Sequence, residues 1–483
     1  VDLRCGPACV CHRCSTMAKT GHSRSSSDSF ETANAARFSE YKIRGPRKQP
    51  PVVGSVRFDQ AGMRDPARYI HISDNMDQID EVLRLVETNW RVEPPQVIIS
   101  ITGGAQNFPV SPLVREVITQ GIARTAQQTR AWILSGGTDA GVMKLVGDAV
   151  QMHDITVPVI GVAPWRPIIG KEQLESPLTP QFPGSTSDGE EALDPVRFYS
   201  ALGAAADSSG AGINPNHTHF IFVEKDTPKP KGPGWGEEIK WRMAFERRAK
   251  EHFKVPAVCV VINGGEGTLN VVHNAVERQI PIVLVKESGG VAYALAHFLF
   301  AADGSFSTAD KSAVDDVLID PLGERGLQPK DPKPGEGPDA FRSMVLGRMR
   351  DIHKMLRDKE QTELVTIYTV QQAGSSGAAD LDLTLLQAIA RAQAKATQEG
   401  DSQSDKVLHL AIQWGRREIV DEWMLNRKQH APGEEDLGSA LQLALQKGHG
   451  DIVRLLLTKG VRAEQVNIWL LWQDWLRTSH ARL

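Results

Sequence analysis

From Val52 onward, short apolar runs alternate with amphipathic stretches. The strand-like runs are Val52–Phe58, Tyr69–Ile72, Val97–Ile101, Ala131–Leu134, Val157–Val162, His219–Val223, Pro256–Ile262 and Pro281–Val285. Between them apolar residues recur at helical spacing over Met76–Thr88, Pro112–Gln128, Gly141–Val150, Glu238–Glu251, Thr268–Arg278 and Val291–Phe300. Such alternation predicts an α/β fold, a mostly parallel sheet of Rossmann-like type with helices on both faces. Arg166–Pro215, rich in Pro, Ser, Gly and acidic residues, interrupts the rhythm and reads as a long surface insertion. Asp303–Asp339 is polar and reads as a linker.

Beyond Phe341 the pattern is helical and contains a repeat. LHLAIQWGRREIVDEWM, from Leu408, aligns with LQLALQKGHGDIVRLLL, from Leu441, at an offset of 33 residues. That is the ankyrin period, and two copies alone cannot bury a solenoid core, so the preceding helices, including Leu381–Ala392, are expected to complete the stack. The predicted organisation is a basic tail over 1–51, an α/β domain over 52–302 with the insertion 166–215, a linker over 303–340 and an all-α ankyrin-like region over 341–483.

Four of the apolar runs lead directly into glycine turns: VIISITGG to Gly104, AWILSGG to Gly137, VCVVINGG to Gly265 and IVLVKESGG to Gly290. A helix pattern follows each. In a parallel sheet all four turns lie at the carboxyl edge, where such folds bind ligands. Glycine lets a phosphate approach the backbone, and the free N–H groups of a helix start donate to it. Hydroxyls at the same turns (Thr102, Ser135, Thr138, Thr268 and Ser288) add donors. Gly136, Gly137, Gly264 and Gly289 belong to this candidate phosphate cradle. No GxxxxGK[ST] or opening GxGxxG stretch is present. Trp235 is a candidate to stack a base or ribose, and Arg242 to pair a phosphate. Asn216 and His217 stand at the start of a strand and read as caps or turn formers.

Composition adds limits. Apolar residues make up 41% and charged residues 24%, ordinary for a folded soluble protein. The net charge of -4 argues against a general nucleic-acid binder. Residues 1–50 carry nine Lys or Arg against four Asp or Glu, which leaves about -9 for the rest. No run approaches the ~18–20 apolar residues of a membrane span. The chain begins with Val1 and shows no apolar leader, so it is expected to be a fragment or processed form without a secretory signal. Cys5, Cys9, Cys11 and Cys14 crowd the tail without standard zinc-finger spacing, and no metal site is assigned. Cys259 reads as a core thiol.

ISITGGAQNF, AWILSGGTDAGVMKLVGDAV, NHTHFIFVEKD and CVVINGGEGTL, in this order and spacing, resemble the melastatin homology region of melastatin-type transient receptor potential (TRPM) cation channels. The resemblance covers roughly 50–480 and implies a SLOG-type domain, related to LOG phosphoribohydrolases, followed by ankyrin-like helices. Within that family the ADP-ribose-gated channels are the most similar type. The resemblance implies a regulatory ligand, ADP-ribose or cyclic ADP-ribose, and no catalytic cofactor. It implies a site including Thr102, Gly103, Gly104, Asn107, Trp235, Arg242, Gly265, Gly267 and Thr268. It also implies a homotetramer formed through the full-length channel, and a place on the cytosolic side of a membrane crossed only by a pore domain absent from this chain.

Two departures stand out. The ADP-ribose-binding channels place Arg where this chain has Gly290, with Lys286 the nearest substitute. LOG enzymes carry PGGxGTxxE, whereas NGGEGTLNV puts Val271 at the catalytic Glu position, so no activity is expected; a LOG-like hydrolase using Glu266 and a non-binding assembly scaffold are the alternatives.

Overall fold

The computed structural model describes residues 41–49, 51–58, 65–175, 196–200, 210–227, 232–300, 306, 338–370, 377–396, 404–426 and 434–473. The tail cysteines and most of the 303–340 linker lie outside them. Among the described residues ten strands form one sheet: β1 (Val52–Phe58), β2 (Ala67–Ser73), β3 (Ile98–Gly103), β4 (Trp132–Ser135), β5 (Val159–Pro164), β6 (Val196–Tyr199), β7 (His219–Glu224), β8 (Ala257–Ile262), β9 (Ile282–Val285) and β10 (Val365–Tyr368). Their order is β10-β9-β8-β3-β4-β5-β7-β2-β1-β6. Only β1 and β2 pair antiparallel; every other neighbouring pair is parallel. The predicted mostly parallel α/β sheet is therefore present.

The helices are α1 (Ile79–Thr88), α2 (Pro112–Thr129), α3 (Gly141–Met152), α4 (Ile239–Phe253), α5 (Glu266–Glu277), α6 (Gly290–Leu299), α7 (Pro338–Asp358), α8 (Gly377–Ala396), α9 (Ser404–Gln413), α10 (Arg417–Asn426), α11 (Glu434–Lys447) and α12 (Gly450–Thr458). Alternation along the central strands divides them between the two faces. Ile99, Ile101, Val258 and Val260 pack with α2, α3 and α8, while Cys259 and Val261 pack with α5, α6 and α7. Ile98, Trp132 and Leu134 pack with α1 and α4. Cys259 is buried with a free thiol, and burial pushes it up to about 12, as expected of an inert core cysteine.

Two short strands went unread in the sequence. β6 emerges from the proline-rich insertion and pairs with β1. β10 comes from the helical stretch and pairs with β9. The helical repeats share a single apolar cluster with α2, α3 and the sheet. Leu381 of α8 presses so closely on α2 that a Cβ at Gly121 would lie 2.5 Å from it. Inside the repeats, Gly415 (φ 63°) and Gly448 (φ 74°) end α9 and α11 in the left-handed region, 33 residues apart, so the repeat seen in the sequence is a repeat of helix pairs. No helix among the described residues is long and apolar enough to cross a membrane.

Candidate functional site

The chain leaves β3 through α2 on one face and leaves β8 through α5 on the other. Because β3 and β8 are neighbours, their carboxyl ends form a topological switch point, where open α/β sheets bind ligands. The two turns nearly touch: a Cβ at Gly103 would lie 1.8 Å from the Ile262 carbonyl, so only glycine fits. Gly104 N–H donates to that carbonyl at 3.2 Å. The Thr268 hydroxyl donates to Gly103 O at 3.0 Å, and Thr268 and Thr102 are both buried.

The structure separates the four glycine turns, which the sequence treated alike. At α3 the first N–H groups are filled by the protein: Gly141 donates to Asn107 Oδ1 at 3.0 Å and Val142 to Gly104 O at 2.8 Å. Asn107 therefore caps a helix from the neighbouring turn. At α6, Val291 donates to Gly264 O at 2.9 Å and Ala292 to Asn263 O at 3.2 Å. The start of α2 lies seven residues beyond Gly104, at Ser111, whose hydroxyl accepts from Val114 N–H at 3.3 Å. The expectation of an open helix start behind each turn is thus corrected, because nearby carbonyls and a carboxamide reach two of them first.

The start of α5 is different. No side chain caps it, and its first backbone bond is Leu269 N–H to Gly265 O at 3.0 Å. A Cβ at Gly265 would meet nothing within 4 Å, and Gly267 is exposed. Here the backbone N–H groups of residues 265–268 have no acceptor among the described residues, the anion-binding arrangement of a helix N-terminus. The turn is held by Asn263, which adopts φ 60°, a conformation asparagine tolerates. Its Oδ1 accepts from Gly264 N–H at 2.7 Å and its Nδ2 donates to Ser288 O at 2.8 Å. Asn263 N–H donates to Ser288 Oγ at 2.6 Å, and that hydroxyl donates to Val285 O at 2.5 Å. Ser288 and Gly289 thus brace the α5 turn from behind.

The turn after β4 is covered. Residues 210–217 lie over it: Asp139 N–H donates to Gly212 O at 2.8 Å and Asn214 N–H to Gly137 O at 2.9 Å. Gly136, Gly137 and Thr138 are in this enclosed segment, and Thr138 Oγ1 is buried without a partner among the described residues. Beneath it Ser135 Oγ meets His217 Nε2 at 2.7 Å, His217 Nδ1 meets Asn214 Oδ1 at 3.1 Å, and Asn214 Nδ2 donates to Asp139 at 2.8 Å. Ser135 and His217 are both buried, so this Ser-His-Asn chain is a structural tie rather than an exposed nucleophile. Burial, and after it the nearby Arg242, push His217 down to about 3; burial, and after it Arg68, do the same to His219. Both histidines have folded values below their ordinary ones. Their stabilising contribution is complete above about pH 6.5 and is lost as the pH falls toward 3. Urea denaturation at pH 7 and pH 4.5 should show a loss of roughly 2 kcal/mol for His217 alone. An undiminished pH dependence in His217→Asn would disprove its part in that loss.

On the opposite side of the α5 turn, the loop 232–239 leads into α4. Trp235 is 38% exposed at its tip. The Ile239 side chain lies 3.7 Å from where a Gly267 Cβ would stand, which puts this loop against the open helix start. Arg166, just past β5, anchors it by a two-pronged pairing with Glu237 and by donating from Nη1 to Gly232 O at 2.7 Å. Arg242 lies deeper. Its Nε donates to Glu246 at 2.8 Å, and its Nη2 to Ser100 Oγ at 3.0 Å, Ile101 O at 3.0 Å and Leu134 O at 3.1 Å. Nη1 has no hydrogen-bond partner among the described residues. Arg242 therefore gathers the ends of β3 and β4, a role its sequence position does not reveal.

Gly290, where the resemblance leads us to expect an arginine, has φ 54° and packs on the α5 turn, where a Cβ would lie 2.4 Å from Gly264 O. After burial, the Lys286 charge is what lowers the pKa of His297, well along α6. Val271 is partly buried against the apolar cluster of α5 to α7.

These features define a ligand-binding type of α/β domain, a mostly parallel sheet with an open helix N-terminus at its switch point. Residues 67–319 match the family described as SLOG in TRPM, more than half of the chain, and the chain belongs to that family. Residues 373–467 match ankyrin repeats in three copies. The chain is 29% identical over 424 residues to the mouse transient receptor potential cation channel subfamily M member 2, covering 83% of this chain and 25% of that protein. It is 27% identical over 423 residues to the Nematostella vectensis member-like 2 channel (84% and 25%) and 26% identical over 422 residues to the human subfamily M member 6 (84% and 18%). The chain therefore spans about a quarter or less of these relatives' lengths.

Proposed function

We propose that this chain is the nucleotide-sensing regulatory region of a TRPM-type cation channel, facing the cytosol and assembling as a tetramer through the full-length protein. In this reading ADP-ribose, cyclic ADP-ribose or a related adenine nucleotide binds at the switch point. Its phosphates lie on the α5 start and its base or ribose on Trp235. The observation that carries the reading is the uncapped N-terminus at Gly265–Thr268, against which Ile239 packs at the end of the loop that bears the exposed Trp235. The sensor signals rather than hydrolyses, since Val271 offers no carboxylate for acid–base work.

A physical route supports coupling to the helical region. Glu287, beside the Ser288 brace, accepts the Val370 N–H at 3.0 Å, between β10 and α8. Ligand that tightens the α5 turn would bias this contact, provided its affinity differs between two packings of the helices.

Calorimetric titration of the full chain with ADP-ribose, cyclic ADP-ribose, AMP and ATP tests the binding. Micromolar affinity is expected for ADP-ribose. Gly265→Ala should weaken it about tenfold or more by crowding the phosphate, with stability nearly unchanged because a Cβ there has space. No binding up to millimolar concentrations would transfer the assignment to an assembly scaffold. For the coupling, hydrogen exchange over α8 should slow with ligand and lose that response in Glu287→Ala, which removes the acceptor of the Val370 N–H. A response confined to the pocket would defeat the coupling alone.

A further inference from the structure

Glu238 stands at the entry of α4, three residues after Trp235 and one before Ile239, the residue packed near Gly267. One of its carboxyl oxygens, Oε2, is buried and has no hydrogen-bond partner among the described residues. The neighbouring charges are engaged elsewhere: Glu237 with Arg166, and Arg242 with Glu246 and the ends of β3 and β4. On the α5 side the facing acid, Glu266, is exposed. Burial pushes the Glu238 carboxyl up to about 7, against backbone N–H groups of its own loop and Arg242, which pull it down; Glu237 adds a smaller upward push.

A buried acceptor without a partner is costly in a folded protein, and such atoms in a binding loop commonly wait for a ligand donor. A phosphate is a poor occupant, because at neutral pH it has few protons to give and repels an ionised carboxylate. A sugar hydroxyl suits the site better. It donates to the ionised form and accepts from the protonated one, so it serves a carboxyl that titrates near neutrality.

We propose that Glu238 is the sugar-reading group of this site, its Oε2 taking a hydrogen bond from a hydroxyl of the ribose whose base stacks on Trp235. The inference rests on the nucleotide reading above. It adds that the site selects ribonucleotides over nucleotides lacking those hydroxyls. Along the loop Glu238 lies between Trp235 and Ile239, the residue that packs at Gly267 of the α5 start, the order base, ribose, phosphate along a nucleotide.

The test is a titration of the full chain with ADP and with 2′,3′-dideoxy-ADP, for wild type, Glu238→Ala and Glu238→Gln. Wild type should prefer ADP by about tenfold, the usual weight of a hydrogen bond to a charged group. In Glu238→Ala the preference should collapse to within about twofold while dideoxy-ADP binds as before, which also shows that the variant is folded. Glu238→Gln keeps an acceptor of the same shape and should retain part of the preference. An unchanged preference in Glu238→Ala, equal weakening of both ligands, or a wild type that binds both alike would each overturn the assignment and leave the nucleotide site standing. A wild type that binds neither would overturn the nucleotide reading and this inference together.

Discussion

Arg242→Ala is expected to destabilise the chain by about 3 kcal/mol or more, whether or not ligand is present. The guanidinium and its partner Glu246 are both largely buried, with side-chain exposures of 12% and 10%. Removing the cation leaves a buried carboxylate with no counter-charge and only the Ser100 hydroxyl to hold it, the arrangement in which breaking an ion pair costs most. It also frees the carbonyls of Ile101 and Leu134 at the ends of the two strands that approach the site, while the Ser100 hydroxyl keeps its bond to Glu246 at 2.8 Å. Arg242→Lys should recover only part of the loss, because an ammonium cannot reproduce the planar fan of donors. Urea denaturation monitored by far-ultraviolet circular dichroism measures both. A loss below about 1 kcal/mol for the alanine variant would mean that the clamp is dispensable. Lost ligand binding in Arg242→Ala therefore does not place a phosphate at the guanidinium. Gly265→Ala, which leaves the scaffold alone, is the cleaner locator.

Gly290→Arg is expected to lower stability by about 2 kcal/mol or more and to bring no gain in affinity for ADP-ribose. The substitution installs the arginine that the family resemblance implies at this position, so a gain would be the simple expectation from sequence. The backbone opposes it. Gly290 has φ 54°, a conformation disfavoured for a residue with a Cβ, and that Cβ would stand 2.4 Å from Gly264 O and 2.8 Å from Gly264 N. Those atoms belong to the turn that opens α5, and Val291 N–H is bound to Gly264 O. An arginine would have to displace the floor of the pocket it was meant to improve. Thermal unfolding and titration of the variant decide the matter. A stable Gly290→Arg chain with tighter binding would show that this junction can be rebuilt at little cost.

Much of the sheet was readable because its central strands are buried on both faces and appear as unbroken apolar runs bounded by glycine. The runs ending at Gly104, Gly137, Gly265 and Gly290 all became strand-to-helix junctions. β6 and β10 escaped because one lies inside a proline-rich insertion and the other among helices, without the unbroken apolar run and glycine turn that mark the equally short β4 and β9. The site was legible as a location but not as a set of donors. Whether a helix start is open depends on what the neighbouring turn offers it. Asn107 filling α3 from another turn, and the carbonyls of Asn263 and Gly264 filling α6, are tertiary contacts without a local signal. Trp235 was readable as a candidate stacking residue between two glycines, but its exposure, like the roles of Asn263, Glu287 and Glu238, required coordinates. The repeat in the helical region was readable at its full period because Gly415 and Gly448 mark the same bend in each copy.

The position of β10 has a consequence for synthesis. Its hydrogen bonds to β9 join Val365–Tyr368 to Ile282–Val285, and Val370 then closes onto Glu287. As the chain leaves the ribosome, the strand that carries the Ser288 brace therefore stays an open edge until some eighty further residues have emerged. During that interval β9 presents unpaired backbone groups, the usual starting point for misassociation between nascent chains. Truncations ending before residue 365 should accordingly aggregate during expression, and those that reach past α8 should remain dispersed.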